Sequence, residues 1–229
     1  MFRIAVLASG RGSNFRAILD HIKAGHIKAE VALLLSNVPD APAITFAREA
    51  GIPVWAKPHK EFPSRAAFDE AMLEAMRDKG VEAVVLAGYM RLLSSRFIGA
   101  YEGKIINLHP SLLPAFPGVS GGPDALAYGV KVTGCTVHFV VQDMDAGPII
   151  IQAALPVTES DDSDSLMPRI HTLEHRIYPQ AVAWLAQGRL SLNGRIVRLA
   201  PPAVTESTTA TVQAGDLPAL IHPPLERGF

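Results

Sequence analysis

The chain has 229 residues, 48% of them hydrophobic, and its 21 basic and 22 acidic side chains give a formal net charge of -1. This is enough apolar material for one sizeable core, or for one domain with a small appendage. The charge balance favours neither nucleic acid nor an anionic membrane surface as a partner. The single cysteine, Cys135, excludes an internal disulfide framework and a cysteine-based zinc site. The apolar run at the N-terminus is too short for a signal peptide or a membrane span, so we expect a soluble, cytoplasmic protein.

The first half of the chain alternates short apolar runs with longer amphipathic stretches. This alternation predicts strands and helices joined by right-handed crossovers, and therefore a mostly parallel α/β sheet with helices on both faces. Ser64 is the expected N-cap of the third helix. The predicted strands span 3–8, 30–36, 53–56, 82–88 and 104–109, and the predicted helices span 14–25, 41–51, 64–80 and 91–101.

The pattern changes after residue 118. A short helix over 121–129 precedes two long apolar strands, 133–141 and 148–157, which we expect to pair antiparallel and complete the sheet. One long helix is predicted over 163–188.

The C-terminal part of the chain contains three further features. Pro179 lies inside the long helix and should kink it or break it locally. Residues 189–199 predict a β-hairpin with a turn at Asn193–Gly194. Proline, threonine and small residues without a period then indicate a loosely attached tail over 200–229, which leaves residues 1–199 as the folded domain.

The segment ASGRGSN, residues 8–14, follows the first strand and opens the first helix. Free backbone N–H groups and the positive end of the helix dipole meet there, which predicts an anion site. Gly10 and Gly12 let the backbone approach a ligand, and Ser13 and Asn14 can add side-chain hydrogen bonds. Because the third glycine of a dinucleotide fingerprint is missing and no acidic residue ends the second strand, a single phosphate fits better than a dinucleotide. A plain tight turn is the alternative.

The segment KIINLHPSLLPAFPG, residues 104–118, holds the best candidate for catalysis. Asn107 and His109 are two residues apart, so at a strand end they face the same side, into the crevice of an α/β sheet. Asparagine can donate to a developing oxyanion, and histidine can supply a proton near neutral pH. A nearby carboxylate would favour the imidazolium form. Asp145 is the best-placed candidate, and Asp143 is its competitor.

Other interpretations of these residues stay open. A histidine at a strand end is often structural, and His109, His138 and Asp145 could form a site with two histidines and one carboxylate for a metal. Their spacing matches no compact ligand motif, so we expect no metal. The segment HTLEH does not match the HExxH zinc motif, and Glu174 within it could face a ligand or solvent.

With these motifs in order, the chain resembles the phosphoribosylglycinamide formyltransferases, folate-dependent enzymes of purine synthesis. The resemblance runs from about residue 2 to residue 199 and implies a Rossmann-like sheet with a folate pocket beside a phosphate site. It also implies a cis bond at Leu113–Pro114. The motifs that carry it are VLASGRGSN, LAGYMRLL, INLHPSLLPAFPG, GCTVHFV, MDAGPIIIQ and HTLEHRIYP.

The resemblance also implies roles for individual residues. Asn107, His109 and Asp145 would be the catalytic residues. Glycinamide ribonucleotide would be bound by Gly12, Ser13, Asn14 and Glu174. The co-substrate 10-formyltetrahydrofolate would be bound by Arg65, Met90, Arg91, Leu92, Leu93, Asn107, Val140 and Asp145.

Two parts of the chain depart from the resemblance: the segment VSGGPDALAYG after residue 118, where many relatives carry histidine and arginine-glutamine, and the tail from residue 200. The nearest rival function is hydrolysis of formyltetrahydrofolate, and a non-catalytic nucleotide-binding module is another. Formyl transfer to methionyl-tRNA is disfavoured because no basic surface signal is present. We expect small-molecule partners only, no nucleic acid or membrane partner, and a monomer or homodimer.

Overall fold

The structure, a computed structural model, describes residues 1–202, 212–214 and 217–229. Within these residues, eleven strands form a nine-stranded central sheet and a separate two-stranded hairpin. In chain order the strands are β1 Phe2–Leu7, β2 Ala29–Ser36, β3 Val54–Ala56, β4 Ala83–Leu86, β5 Ile105–His109, β6 Val132–Phe139, β7 Ile149–Pro156, β8 Leu190–Asn193, β9 Ile196–Leu199, β10 Val212–Ala214 and β11 Leu217–His222.

The central sheet has the strand order β10-β11-β7-β6-β5-β4-β1-β2-β3. The five strands from β3 to β5 run parallel to one another. Strands β6, β7, β11 and β10 follow in that order, and each pairs antiparallel with the strand before it. The predicted fold class is therefore confirmed, including the antiparallel pair β6–β7 and the hairpin β8–β9. Strands β10 and β11 are additions that the sequence did not predict.

Helices cover the sheet because alternate strand residues point to opposite faces. Along β1, Ile4 and Val6 enter one hydrophobic cluster, and Ala5 and Leu7 enter the other. None of the helices in the described part of the chain combines the length and apolar character needed to cross a membrane. The helices are α1 Ser13–Lys23, α2 Ala43–Glu49, α3 Arg65–Arg77, α4 Ser95–Ala100, α5 Gly121–Tyr128 and α6 Ser163–Ala186.

The starts of two helices show how local capping decides boundaries. The Ser64 side chain accepts the Ala67 N–H at 3.1 Å, so the predicted N-cap of α3 is confirmed. Helix α4 begins at Ser95 and not at residue 91 as expected, because Ser94 is its N-cap and accepts the Phe97 N–H. Residues 91–93 consequently belong to a loop.

Two local predictions near the C-terminus need correction. Helix α6 continues through Pro179, so the predicted local break is wrong, and the alternative of a kink stays a prediction. The hairpin turn lies one residue later than expected, because Asn193 still pairs with Ile196 and the two turn residues are Gly194 and Arg195. Gly194 has a positive φ of 60°, which glycine adopts at little cost.

The described end of the tail is packed against the domain and is not loosely attached as expected. Strand β11 pairs with β7, which would otherwise be the edge of the sheet. The Glu226 carboxylate accepts the Trp184 indole N–H at 3.1 Å and pairs with Arg189 at 2.7 Å. The Phe229 ring stacks on the His21 ring of α1, with centroids 4.9 Å apart. The rest of the predicted tail, 203–211 and 215–216, lies outside the described residues, and the division at residue 199 stays a prediction.

We expect Leu225→Ala to lower the free energy of unfolding by about 2–5 kcal/mol, the usual cost of emptying a buried leucine site. Leu225 is 4% exposed and belongs to the larger hydrophobic cluster. Leu220→Ala is the matched control because Leu220 is 72% exposed, and it should change stability by less than about 0.5 kcal/mol. Equal denaturation midpoints for the two variants would contradict the packing of this segment.

Candidate functional site

The site forms where the parallel and antiparallel halves of the sheet meet, at the carboxyl end of β5. Asn107 and His109 lie on β5, and the adjacent strand β6 runs antiparallel to it. Asp145 lies in the loop that joins β6 to β7. The chain therefore brings the three predicted catalytic residues to the same edge of the sheet, where ligands bind in open α/β folds.

His109 is buried and has an acceptor on each side of its ring. Its Nε2 lies 2.8 Å from the Phe116 carbonyl oxygen, so this nitrogen carries a hydrogen and donates it. Its Nδ1 lies 3.5 Å from a carboxylate oxygen of Asp145. Both ring nitrogens therefore face acceptors, which fixes the orientation of the ring.

The Asp145 carboxylate is held by its own loop. Its Oδ2 accepts the Gly118 N–H at 2.8 Å, and its Oδ1 lies 3.7 Å from His138 Nε2. Asp145 has a positive φ of 52°, a conformation that aspartate tolerates better than most residues. Gly147 closes the same loop, and a Cβ there would lie 1.6 Å from the Phe139 carbonyl oxygen, so only glycine fits. The loop backbone thus aims the carboxylate at His109.

His138 is a site residue that the sequence suggested only as a metal ligand. It stands opposite Asn107 in the β5–β6 register, and its Nε2 lies 3.3 Å from the Asn107 amide nitrogen. Burial lowers the pKa of His138 more than the Phe139 carbonyl and Asp145 raise it. The ring is therefore neutral at neutral pH, with Nδ1–H donating to Phe139 and Nε2 accepting from Asn107. This contact orients the Asn107 amide and leaves it a second N–H to donate.

The His109–His138–Asp145 group is the candidate metal site that the sequence left open as an alternative. Both histidines face the Asp145 carboxylate, at 3.5 and 3.7 Å. Across residues 1–202, 212–214 and 217–229, no group of three or more potential ligands is arranged to hold a metal ion. The absence of a metal in the working protein stays a prediction.

A cavity of about 420 Å³ opens beside this group. Its wall includes both apolar side chains, such as Leu86 and Ile98, and the polar edge formed by Asn107 and His109. Small-molecule sites commonly combine such apolar walls with a few convergent polar groups. All eight residues predicted to bind folate line it: Arg65, Met90, Arg91, Leu92, Leu93, Asn107, Val140 and Asp145.

The predicted ribonucleotide residues lie at the start of α1 and on α6. Gly12 is the N-cap of α1 with a φ of 76°, and a Cβ there would come within 2.7 Å of the Ala43 Cβ. Glycine is therefore needed for both conformation and space. Ser13 is the first residue of the helix, and the Asn14 amide donates to Glu174 at 2.9 Å.

Glu174 is 4% exposed and faces the glycine loop, not solvent. Burial raises the pKa of Glu174, although the Asn14 hydrogen bond, His171 and His109 act in the opposite direction. The glycine loop follows β1 and His109 ends β5, and both strands run parallel to β4, which lies between them, so the two sites share the carboxyl edge of the sheet. Two ligands, one at each site, would lie side by side.

The segment that departs from the resemblance, 119–129, contains the whole of α5. A Cβ at Gly121 would lie 2.7 Å from His109 Nε2, so the missing side chain lets α5 approach the histidine. Leu113–Pro114 is cis, as expected.

Comparisons with known proteins identify the class. Residues 2–182 match the family model described as formyl transferase, so the chain belongs to the formyl transferase family. It is 46% identical to phosphoribosylglycinamide formyltransferase from Bacillus subtilis, covering 85% of this chain and 98% of that protein. Glycinamide ribonucleotide transformylase 1 from Symbiobacterium toebii has a similar structure, with a TM-score of 0.86, 49% identity, and coverage of 88% and 95% of the two chains.

These relatives place the chain among the phosphoribosylglycinamide formyltransferases, enzymes that transfer a formyl group to glycinamide ribonucleotide in purine biosynthesis. Their co-substrate is a formyl-folate. The chain is also 42% identical to the trifunctional purine biosynthetic protein adenosine-3 from Drosophila pseudoobscura pseudoobscura. That match covers 90% of this chain but 15% of the longer protein.

Proposed function

We propose that the chain transfers the formyl group of 10-formyltetrahydrofolate to the amine of glycinamide ribonucleotide, with Asn107, His109 and Asp145 as the catalytic residues. The products are N-formylglycinamide ribonucleotide and tetrahydrofolate. The observation that supports this proposal best is the buried His109–Asp145 pair on the wall of the cavity. The cytoplasmic location and the monomeric or homodimeric state expected from the sequence stay predictions.

The reaction begins when the substrate amine attacks the formyl carbon on N10 of the folate. The carbonyl oxygen becomes an oxyanion, which the free N–H of Asn107 and the imidazolium of His109 stabilise by hydrogen bonding. The His109 Nε2–H now points at the Phe116 carbonyl, so the substrate oxygen has to replace that carbonyl as its partner. The bond from the carbon to N10 then breaks, and the proton lost by the amine ends on N10.

The Asp145 carboxylate has two tasks in this scheme. It keeps His109 charged and oriented through the contact at Nδ1. It also offers an oxygen that can hold a water molecule for the transfer of the proton. Holding the two substrates side by side supplies a further large part of the acceleration, because attack becomes effectively unimolecular.

The glycine-loop site supports a phosphorylated acceptor. The first backbone N–H groups of α1 have no acceptor within the helix and can bind the phosphate, and Gly12 lets it approach. Glu174 and Asn14, hydrogen-bonded to each other beside the loop, are placed to bind the remainder of the ribonucleotide. Hydrolysis of the formyl-folate would leave this site without a substrate.

A spectrophotometric assay of folate deformylation, with and without glycinamide ribonucleotide, tests the proposal. We expect turnover only when the ribonucleotide is present. Turnover with release of formate in its absence would instead identify a hydrolase. If neither mixture reacts and the protein binds NAD tightly in a separate titration, a non-catalytic nucleotide-binding module would replace the proposal.

Glu174→Gln should change two measurable quantities, the pH dependence of Tm and the KM for the ribonucleotide. Burial raises the pKa of Glu174 above its ordinary value of 4.5, so the folded state binds the carboxyl proton more tightly than the unfolded chain does. The free energy of unfolding contributed by this group therefore falls as the pH rises from the ordinary pKa through the raised one. Glutamine does not titrate, so we expect a higher Tm than wild type near about pH 8 and no difference near about pH 4.

The same substitution should raise KM for the ribonucleotide at least about tenfold, the worth of one charge-assisted hydrogen bond. Glu159→Gln is the control, because Glu159 is exposed and should change neither Tm nor KM. A Glu174→Gln variant with wild-type KM would remove Glu174 from the proposed ribonucleotide site.

A further inference from the structure

Ser9 joins the glycine loop to the segment that lines the cavity. Its backbone N–H donates to the Gly88 carbonyl at 3.0 Å, and its hydroxyl oxygen accepts the Met90 N–H at 2.9 Å. Gly88 and Met90 both line the cavity, whereas Ser9 is the second residue of the ASGRGSN segment. One residue thus bridges the two proposed substrate sites.

The direction of the Ser9 hydroxyl is set by a second residue. Ser9 donates its hydroxyl hydrogen to Asn37 Oδ1 at 2.6 Å. Asn37 is 6% exposed, and its amide nitrogen lies 3.4 Å from a ring nitrogen of His59. Because the hydrogen points to Asn37, a lone pair of the Ser9 oxygen is directed at the Met90 N–H.

The segment bridged by Ser9 is also held at its other end. The buried carboxylate of Asp69 accepts the Ser94 N–H at 2.6 Å, directly after the cavity-lining residues 90–93. The loop is therefore anchored at both ends, and within the described part of the chain only the Ser9 anchor connects it to the glycine loop by a side-chain hydrogen bond. A shift of the glycine loop on binding a phosphate would be transmitted to residue 90 through this hydroxyl.

We propose that Ser9, oriented by Asn37, is a positioning residue that couples the two substrate sites, so that the ribonucleotide and the folate each strengthen the binding of the other. This inference rests on the proposed function. Coupling of this kind is reciprocal, because the factor by which one ligand changes the affinity of the other is the same in both directions. Ser9→Ala removes the hydroxyl but keeps the backbone bond to Gly88, so it tests the side-chain link alone.

The test is calorimetric titration of glycinamide ribonucleotide in the presence and absence of saturating tetrahydrofolate, a pair that cannot react. We expect tetrahydrofolate to lower Kd for the ribonucleotide about fivefold or more in the wild type, within the usual range of coupling. In Ser9→Ala the coupling ratio, which is Kd without tetrahydrofolate divided by Kd with it, should fall to about one. Asn37→Asp keeps an acceptor for the Ser9 hydroxyl and should retain the wild-type ratio, whereas Asn37→Leu should lose it.

Ser165→Ala is the matched control for a general loss of stability. The Ser165 hydroxyl likewise accepts a backbone N–H, from Asp162 at 3.0 Å, and donates to a side-chain oxygen, on Asp161 at 2.9 Å. It lies in the first turn of α6, outside both proposed sites, so this variant should lose thermal stability and keep the coupling ratio.

The outcomes separate this inference from the proposed function. The coupling alone is overturned if wild-type turnover depends on the ribonucleotide but the wild-type coupling ratio is one. It is also overturned if the wild-type ratio persists unchanged in Ser9→Ala and Asn37→Leu. Equal loss of coupling in Ser9→Ala and Ser165→Ala also overturns it, because general destabilisation would then explain both. A wild type with no such turnover overturns the proposed function, and the coupling with it.

Discussion

Asp145→Asn is expected to lower kcat by at least about a hundredfold, within the range found for general acid–base residues. The substitution keeps the size of the side chain but removes the charge that faces His109 Nδ1 at 3.5 Å. The imidazolium then loses the partner that favours it, and the oxyanion loses its charged donor. The measurement is kcat at saturating concentrations of both substrates, with circular dichroism to verify the fold.

Asp143→Asn is the comparison for this result. Asp143 lies in the same loop and is exposed, with no ion pair to either site histidine among the described residues. It should retain the wild-type kcat. A larger loss in Asp143→Asn than in Asp145→Asn would exchange the roles of the two carboxylates.

His109→Ala should also lower kcat at least about a hundredfold with the fold retained, because it removes the donor to the oxyanion. His138→Ala should cost less, about tenfold, since His138 acts through one hydrogen bond that orients Asn107. Comparing kcat and circular dichroism of the two variants checks the assignment. If His138→Ala is the more damaging substitution, His138 and not His109 is the proton donor.

The parallel half of the sheet was predictable because its signals are local. Each strand is a short apolar run and each helix an amphipathic stretch, and right-handed crossovers then leave few topologies. Asn107 and His109 could be identified for the same reason, because a parallel strand that ends in polar residues places them at the ligand edge. The grouping of Asp145 with them required that β6 pair with β5 as well as with β7.

Contacts between distant residues could not be predicted in the same way. The Ser94 N–H beside the start of α4 donates to the Asp69 carboxylate, 25 residues away along the chain, and no local pattern reveals this contact. His138 enters the site through the β5–β6 register, and register is set by pairing between strands. The hydrogen bond from Trp184 to Glu226 joins residues 42 apart, and Glu226 lies in the tail, which has no hydrophobic period.

Because Cys135 is buried in β6, its reaction with a thiol reagent can report local opening of the sheet around this strand. The thiol is fully buried, and burial raises its pKa well above the ordinary value, so a thiol-specific dye should not react with the folded protein. Cys135 is the only cysteine in the chain, and it lies on a strand flanked by β5 and β7. The labelling rate of the unmodified protein therefore reports how often this part of the sheet separates, and a bound ligand that closes the site should slow it.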